Sequence, residues 1–142
     1  MKDLYHDLLP VVSINSIVGN NDTEGKGVGV DLQGYEGALV VFNIGQSGDT
    51  LSGSVYITLK IQHCDTDTDG SYEDVAAGDY QGSNQGLVID AAAEDEVVKA
   101  IGYTGGKRWV RAIVDFTGTH TNGIPIGATV IKGKPRHAPV AS

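Results

Sequence analysis

Residues 54–62 read SVYITLKIQ. Val55, Ile57, Leu59 and Ile61 fall on one parity, and Ser54, Tyr56, Thr58, Lys60 and Gln62 on the other. Successive side chains of an extended chain point to opposite faces, so this period of two gives a strand with one dry face and one wet face. Such a strand needs neighbours for its backbone and a second layer for its apolar face. Residues 108–116 repeat the pattern, with Val110, Ala112, Val114 and Phe116 set against Trp109, Arg111, Ile113 and Asp115. Residues 38–44 are nearly all apolar, as in a strand buried on both sides or a central sandwich strand. Further strands are expected at 28–32, where Val28, Val30 and Leu32 alternate with Gly29 and Asp31, and at 72–75, 87–89, 97–103 and 126–132.

Glycine-rich breaks at 34–37, 45–48 and 118–123 separate these runs, and Gly fills 20 of the 142 positions. Thr104-Gly105-Gly106-Lys107 lies between 97–103 and 108–116, where a Gly-Gly pair reads as the positive-φ turn of a tight hairpin. No amphipathic run of helix length occurs, and residues 90–96 hold one helical turn. About eight short strands at roughly ten-residue spacing predict an all-β fold, an antiparallel β-sandwich of jelly-roll-like form. Residues 25–133 form that body. Residues 1–24 read as an N-terminal arm, because Pro10 ends any short helix and 19–22 is a turn cluster. Residues 134–142 read as an extended C-terminal tail held open by Pro135 and Pro139.

The chemistry of the chain is sparse. The single cysteine, Cys64, rules out an intrachain disulfide and suits a small apolar filler at a strand end. The opening Met1-Lys2-Asp3-Leu4 carries no apolar core of a signal peptide, and no apolar run approaches the length that spans a membrane. Asp65, Asp67 and Asp69, followed by Gly70, copy the first half of a calcium loop, but the twelfth position is Ala76 where a bidentate Glu belongs. The stretch is therefore read as a solvated turn, and no metal or other cofactor is expected. His6, His63, His120 and His137 pair with no other ligand type at metal spacing. No nucleophile elbow or phosphate loop is present, so no enzyme is expected. Trp109, Tyr103 and Tyr56 could together make a stacking face for a carbohydrate-binding or adhesion module.

Charge is unevenly divided. Residues 1–106 carry 17 acidic and 4 basic groups, while residues 107–142 carry 1 acidic and 6 basic, within a formal net charge of −8. The whole molecule repels nucleic acid, and a basic tract on an acidic body suits an acidic protein surface.

Two stretches carry a family likeness. One is Leu59-Lys60-Ile61-Gln62-His63-Cys64-Asp65, running through Asp69-Gly70-Ser71-Tyr72 to Asp74-Val75. The other is Ile101-Gly102-Tyr103-Thr104-Gly105-Gly106-Lys107-Arg108-Trp109-Val110-Arg111, followed by residues 117–125 and 133–139. Their order and spacing resemble the decoration, or cement, proteins of tailed-phage and prophage capsids, over roughly residues 38–139. The resemblance implies an all-β structural virion protein, made in the bacterial host cytoplasm and placed on the outer capsid surface. There it would bridge neighbouring major capsid subunits, as a homotrimer. A tail or head-completion protein of the same gene cluster is the nearest alternative. Capsid docking is then expected through the arm residues Leu8, Leu9, Val11 and Val12 and the tail residues Lys132, Lys134, Arg136 and His137.

Overall fold

The period of two in residues 54–62 becomes β4 (Tyr56–Cys64), with Ile57, Leu59 and Ile61 fully buried. A computed structural model describes residues 3–83 and 87–135. In it β4 pairs antiparallel with β9 (Trp109–Thr117) along one edge. Its other edge is shared by β5 (Glu73–Asp74) and β7 (Leu87–Ile89). The two-residue β2 (Val30–Asp31) closes the far side of β9. These five strands are sheet B.

Sheet A stacks on it in the order β1 (Leu9–Gly19), β10 (Ile124–Pro135), β3 (Tyr35–Ile44), β8 (Val97–Tyr103), β6 (Tyr80–Gln81). The core lies between the sheets. Val40, Phe42 and Ile44 of β3, Ile101 of β8 and Val130 of β10 meet Ile57, Leu59, Ile61, Val110 and Val114 of sheet B. The all-β sandwich expected from the sequence is thus the fold, with ten strands among the described residues in place of about eight, the two additions being β1, read as arm in the sequence, and the two-residue β6.

Three local expectations change. Residues 9–19, read as part of an arm, are an edge strand of sheet A. β1 pairs with β10 from Leu9↔Lys132 to Gly19↔Ile124 and buries Ile14 in the core. The pairing is irregular near Ser13, whose hydroxyl accepts the Ala112 N–H (3.0 Å) and donates to the Val28 carbonyl (2.9 Å), tying β1 to sheet B. Lys134 and Pro135, assigned to the tail, are the last residues of β10, and Pro135 faces Tyr35. The rest of the tail, including Arg136 and His137, lies outside the described residues.

The Gly105-Gly106 turn is not a hairpin. β8 belongs to sheet A and β9 to sheet B, so the turn carries the chain across the sandwich. Neither glycine is among the residues with positive φ. Gly105 is required for closeness instead: a Cβ there would lie 2.6 Å from the Tyr103 hydroxyl. Of the two readings of residues 38–44, the central sandwich strand is the one found: β3 is central in its sheet and buried on one side only. Leu39 is 41% exposed on the outer side, although Val40 beside it is fully buried.

Candidate functional site

The cations separated along the sequence meet at one end of the sandwich. Arg108, at the entry to β9, donates from Nε and Nη2 to the two oxygens of Asp31 on β2 (2.9 and 2.8 Å). Lys132 of β10 donates to the Asp31 carbonyl (3.2 Å) and sits 4.6 Å above the Tyr35 ring. Lys107 pairs with Asp65 at 3.2 Å, and Lys134 stands exposed two residues beyond Lys132. The Arg108 guanidinium holds the Asp31 carboxyl below its ordinary range, against a partial burial that pushes the other way. Between these groups lies a cleft of about 300 Å³ lined by Tyr35, Glu36, Asp65, Lys107 and Arg108 among others. Against the four cations stand Asp31, Glu36 and Asp65, so this end is near neutral on a molecule of net charge −8.

The outer face of sheet B is a closed ionic lattice. Lys60 lies between Asp74 and Asp115, 3.1 Å from each. Arg111 donates from Nε and Nη2 to Gln62 Oε1 (3.0 and 2.7 Å) and from Nη1 to Asp69 (2.8 Å), and it stacks 4.0 Å from the Tyr72 ring centre. Asp69 also takes Lys26 at 3.3 Å.

The outer face of sheet A is different in kind. Register puts Leu39, Val41 and Asn43 of β3 beside Gly102, Ala100 and Val98 of β8, and beside Ile131, Thr129 and Gly127 of β10. Pro10 and Val12 of β1 extend the row. None of these side chains is charged, and Val98 and Val12 are 64% and 47% exposed. A trough of about 300 Å³ is lined there by Leu8, Leu39 and Ile131, by Gly37, Gly102 and Gly133, and by the cation Lys134.

The residues singled out in the sequence are thus distributed as follows. Leu8 reaches the trough, Leu9 and Val11 are half-buried, and Val12 is on the outer face. Asp65, Asp67 and Asp69 turn to three different partners: Lys107, the Tyr72 hydroxyl (2.6 Å) and Arg111. Among the described residues no group of three His, Cys, Asp or Glu could hold a metal ion. The aromatic platform is not assembled. Tyr103 is buried, and Tyr56 and Trp109 stand at opposite ends of the β4–β9 ladder, about 27 Å apart at the usual rise.

Sequence reasoning missed Asp31, which gathers Arg108 and Lys132, and Ser13, which ties the sheets together. Asp31's partners are 77 and 101 residues away and Ser13's contact with Ala112 spans 99, with no local signal. Compared with family models, with curated proteins and with solved structures, the chain gives no match. The likeness to decoration proteins therefore stands on the quoted motifs.

Proposed function

We propose that the protein is a non-enzymatic structural component of a tailed-phage head, which decorates the outer capsid surface and bridges neighbouring major capsid subunits. One observation supports this beyond the sequence likeness: Lys107, Arg108, Lys132 and Lys134 share one end of the sandwich, while the remaining surface is dominated by carboxylates. The Asp31 pair leaves Arg108 Nη1 and the Lys134 ammonium available to an acidic shell surface. An exposed ion pair is worth about 0–1 kcal/mol, so a single contact is weak. Several per copy, on a shell that repeats the site, add through effective concentration.

The test is titration of purified protein onto shells stripped of it, across a range of salt concentrations. Wild type is expected to bind more weakly as salt rises. Lys107→Ser, Lys132→Ser and Lys134→Ser combined are expected to reduce occupancy at every salt concentration. Equal decoration by the triple variant, with its fold verified by circular dichroism, would refute docking through this end.

A further inference from the structure

We propose that the Asn122-Gly123 bond, in the loop joining β9 to β10, is a latent deamidation site that the carboxylate of Asp49 holds shut. The inference goes beyond the decoration reading and does not rest on it. The loop follows Thr117, at the end of the sandwich opposite Lys107 and Arg108, which precede β9.

Asn122-Gly123 is the one Asn-Gly pair in the chain. Asparagine is thermolabile, and a glycine after it leaves the next backbone nitrogen unhindered by any side chain. That nitrogen, after losing its proton to water or hydroxide, attacks Asn122 Cγ. The Cγ–Nδ2 bond breaks, ammonia leaves, and a cyclic succinimide forms. Water then opens the ring to aspartate or isoaspartate, so the balance needs only solvent. Asn122 is exposed, and solvent reaches it.

The fold ties down both nitrogens that this reaction needs free. The Gly123 N–H donates to Asp49 Oδ2 at 2.8 Å, and an anionic acceptor opposes loss of that proton. The Asn122 N–H donates to both Asp49 oxygens (3.0 and 3.1 Å). Asn122 Nδ2, the leaving group, donates to the Gly48 carbonyl (3.0 Å). The Gly48 N–H donates in return to the Gly123 carbonyl (2.8 Å), which fixes the peptide plane. Gly48 and Asp49 belong to the loop between β3 and β4, and the two loops are in close contact: a Cβ on Gly48 would lie 2.8 Å from Asn122 Cβ. The Asn122 amide, against desolvation and with the help of the Gly123 amide, holds the Asp49 carboxyl below its ordinary range, so the clamp is charged at neutral pH. Deamidation would replace the Nδ2 donor by a carboxylate set against the Gly48 carbonyl, so the clamp does not re-form around the product.

Mass spectrometry of the full chain during incubation at neutral pH, with peptide mapping to locate the change, tests this. Wild type unfolded in urea is expected to gain about 1 Da at Asn122, and folded wild type to do so at least about 10-fold more slowly. Asp49→Ala, verified as folded by circular dichroism, is expected to deamidate at Asn122 about 10-fold faster or more than folded wild type, the factor that loss of one charge-assisted hydrogen bond gives. Combining Asp49→Ala with Asn122→Gln lengthens the reactive side chain by a methylene, which disfavours ring closure, and the gain should vanish. A folded wild type that deamidates at Asn122 as fast as the unfolded chain overturns the proposal, whether or not Asp49→Ala folds. So does a folded Asp49→Ala that reacts no faster than wild type, or a gain at this position that survives Asn122→Gln.

Discussion

Tyr103→Phe should remove a hydrogen-bond junction that couples the two sheets. Tyr103 lies on β8 in sheet A and His63 on β4 in sheet B, and both are buried. The Tyr103 hydroxyl is 2.9 Å from His63 Nδ1 and accepts the Lys107 N–H at 3.0 Å. The hydroxyl has one proton and two lone pairs, so it can partner Nδ1 in either tautomer while accepting the amide, and His63 Nε2 lies 3.7 Å from Glu73 on the other side of the ring. Without the hydroxyl, His63 Nδ1 loses its partner in a buried site, at a cost of about 1–3 kcal/mol. The Lys107 N–H is partly exposed and can turn to water, at a cost of about 0.5–1 kcal/mol. A loss of about 2–3 kcal/mol is expected, or roughly 6–9 °C in Tm for a domain of this size. Chemical denaturation of wild type and variant measures it, with Tyr56→Phe as the half-buried control expected to fall within about 0.5 kcal/mol of wild type. In a double-mutant cycle with His63→Leu, the pair should cost less than the sum of the singles by about 1 kcal/mol or more. A Tyr103→Phe stability equal to that of wild type, or strict additivity in the cycle, would refute the junction.

Three further outcomes follow from the same geometry. Burial pushes the Tyr103 hydroxyl up to about 12 from 10.0, and burial with the Asp67 contact raises Tyr72 as well. The folded state therefore holds protons that the unfolded chain has lost. Stability should be full below about pH 10 and decline above it, and near-UV absorbance should show the late tyrosines ionising only as the fold opens. At the acid end, Arg108 lowers Asp31, and Arg111 with Lys26 lowers Asp69. Stability should hold above the ordinary carboxylate value of 3.8 and fall as pH drops through the lower folded values, with a shallower acid decline in Asp31→Asn. Calcium should leave Tm unchanged, because Asp65, Asp67 and Asp69 point to separate partners; a rise abolished by Asp67→Ala would contradict that reading.

What could be read from the sequence was what depends on a period of two. The alternation holds from Ile57 to Gln62 of β4, and in β9 it places Val110, Ala112 and Val114 in the core, although Arg111 and Ile113 on the other face are buried as well. What could not be read was which sheet a strand joins. The Gly105-Gly106 link has a hairpin's composition, yet its glycines serve the close approach to Tyr103 while the chain changes sheets. β1 passed for an arm because its pairing with β10 spans more than a hundred residues and is interrupted near Ser13. Its uncharged run beginning at Leu8 was a usable signal of burial or contact. Of the candidate docking residues, Lys132 was legible as a cation but not as a neighbour of Arg108, because Asp31, the group that joins them, is remote from both in sequence.

The most direct measurement of the account is an electron cryomicroscopy map of shells re-decorated with the purified protein. The account predicts density on the outer shell surface, with the end bearing Lys107, Arg108, Lys132 and Lys134 against the capsid subunits. Undecorated shells at saturating protein, or copies lying with the ionic face of sheet B on the shell, would contradict it.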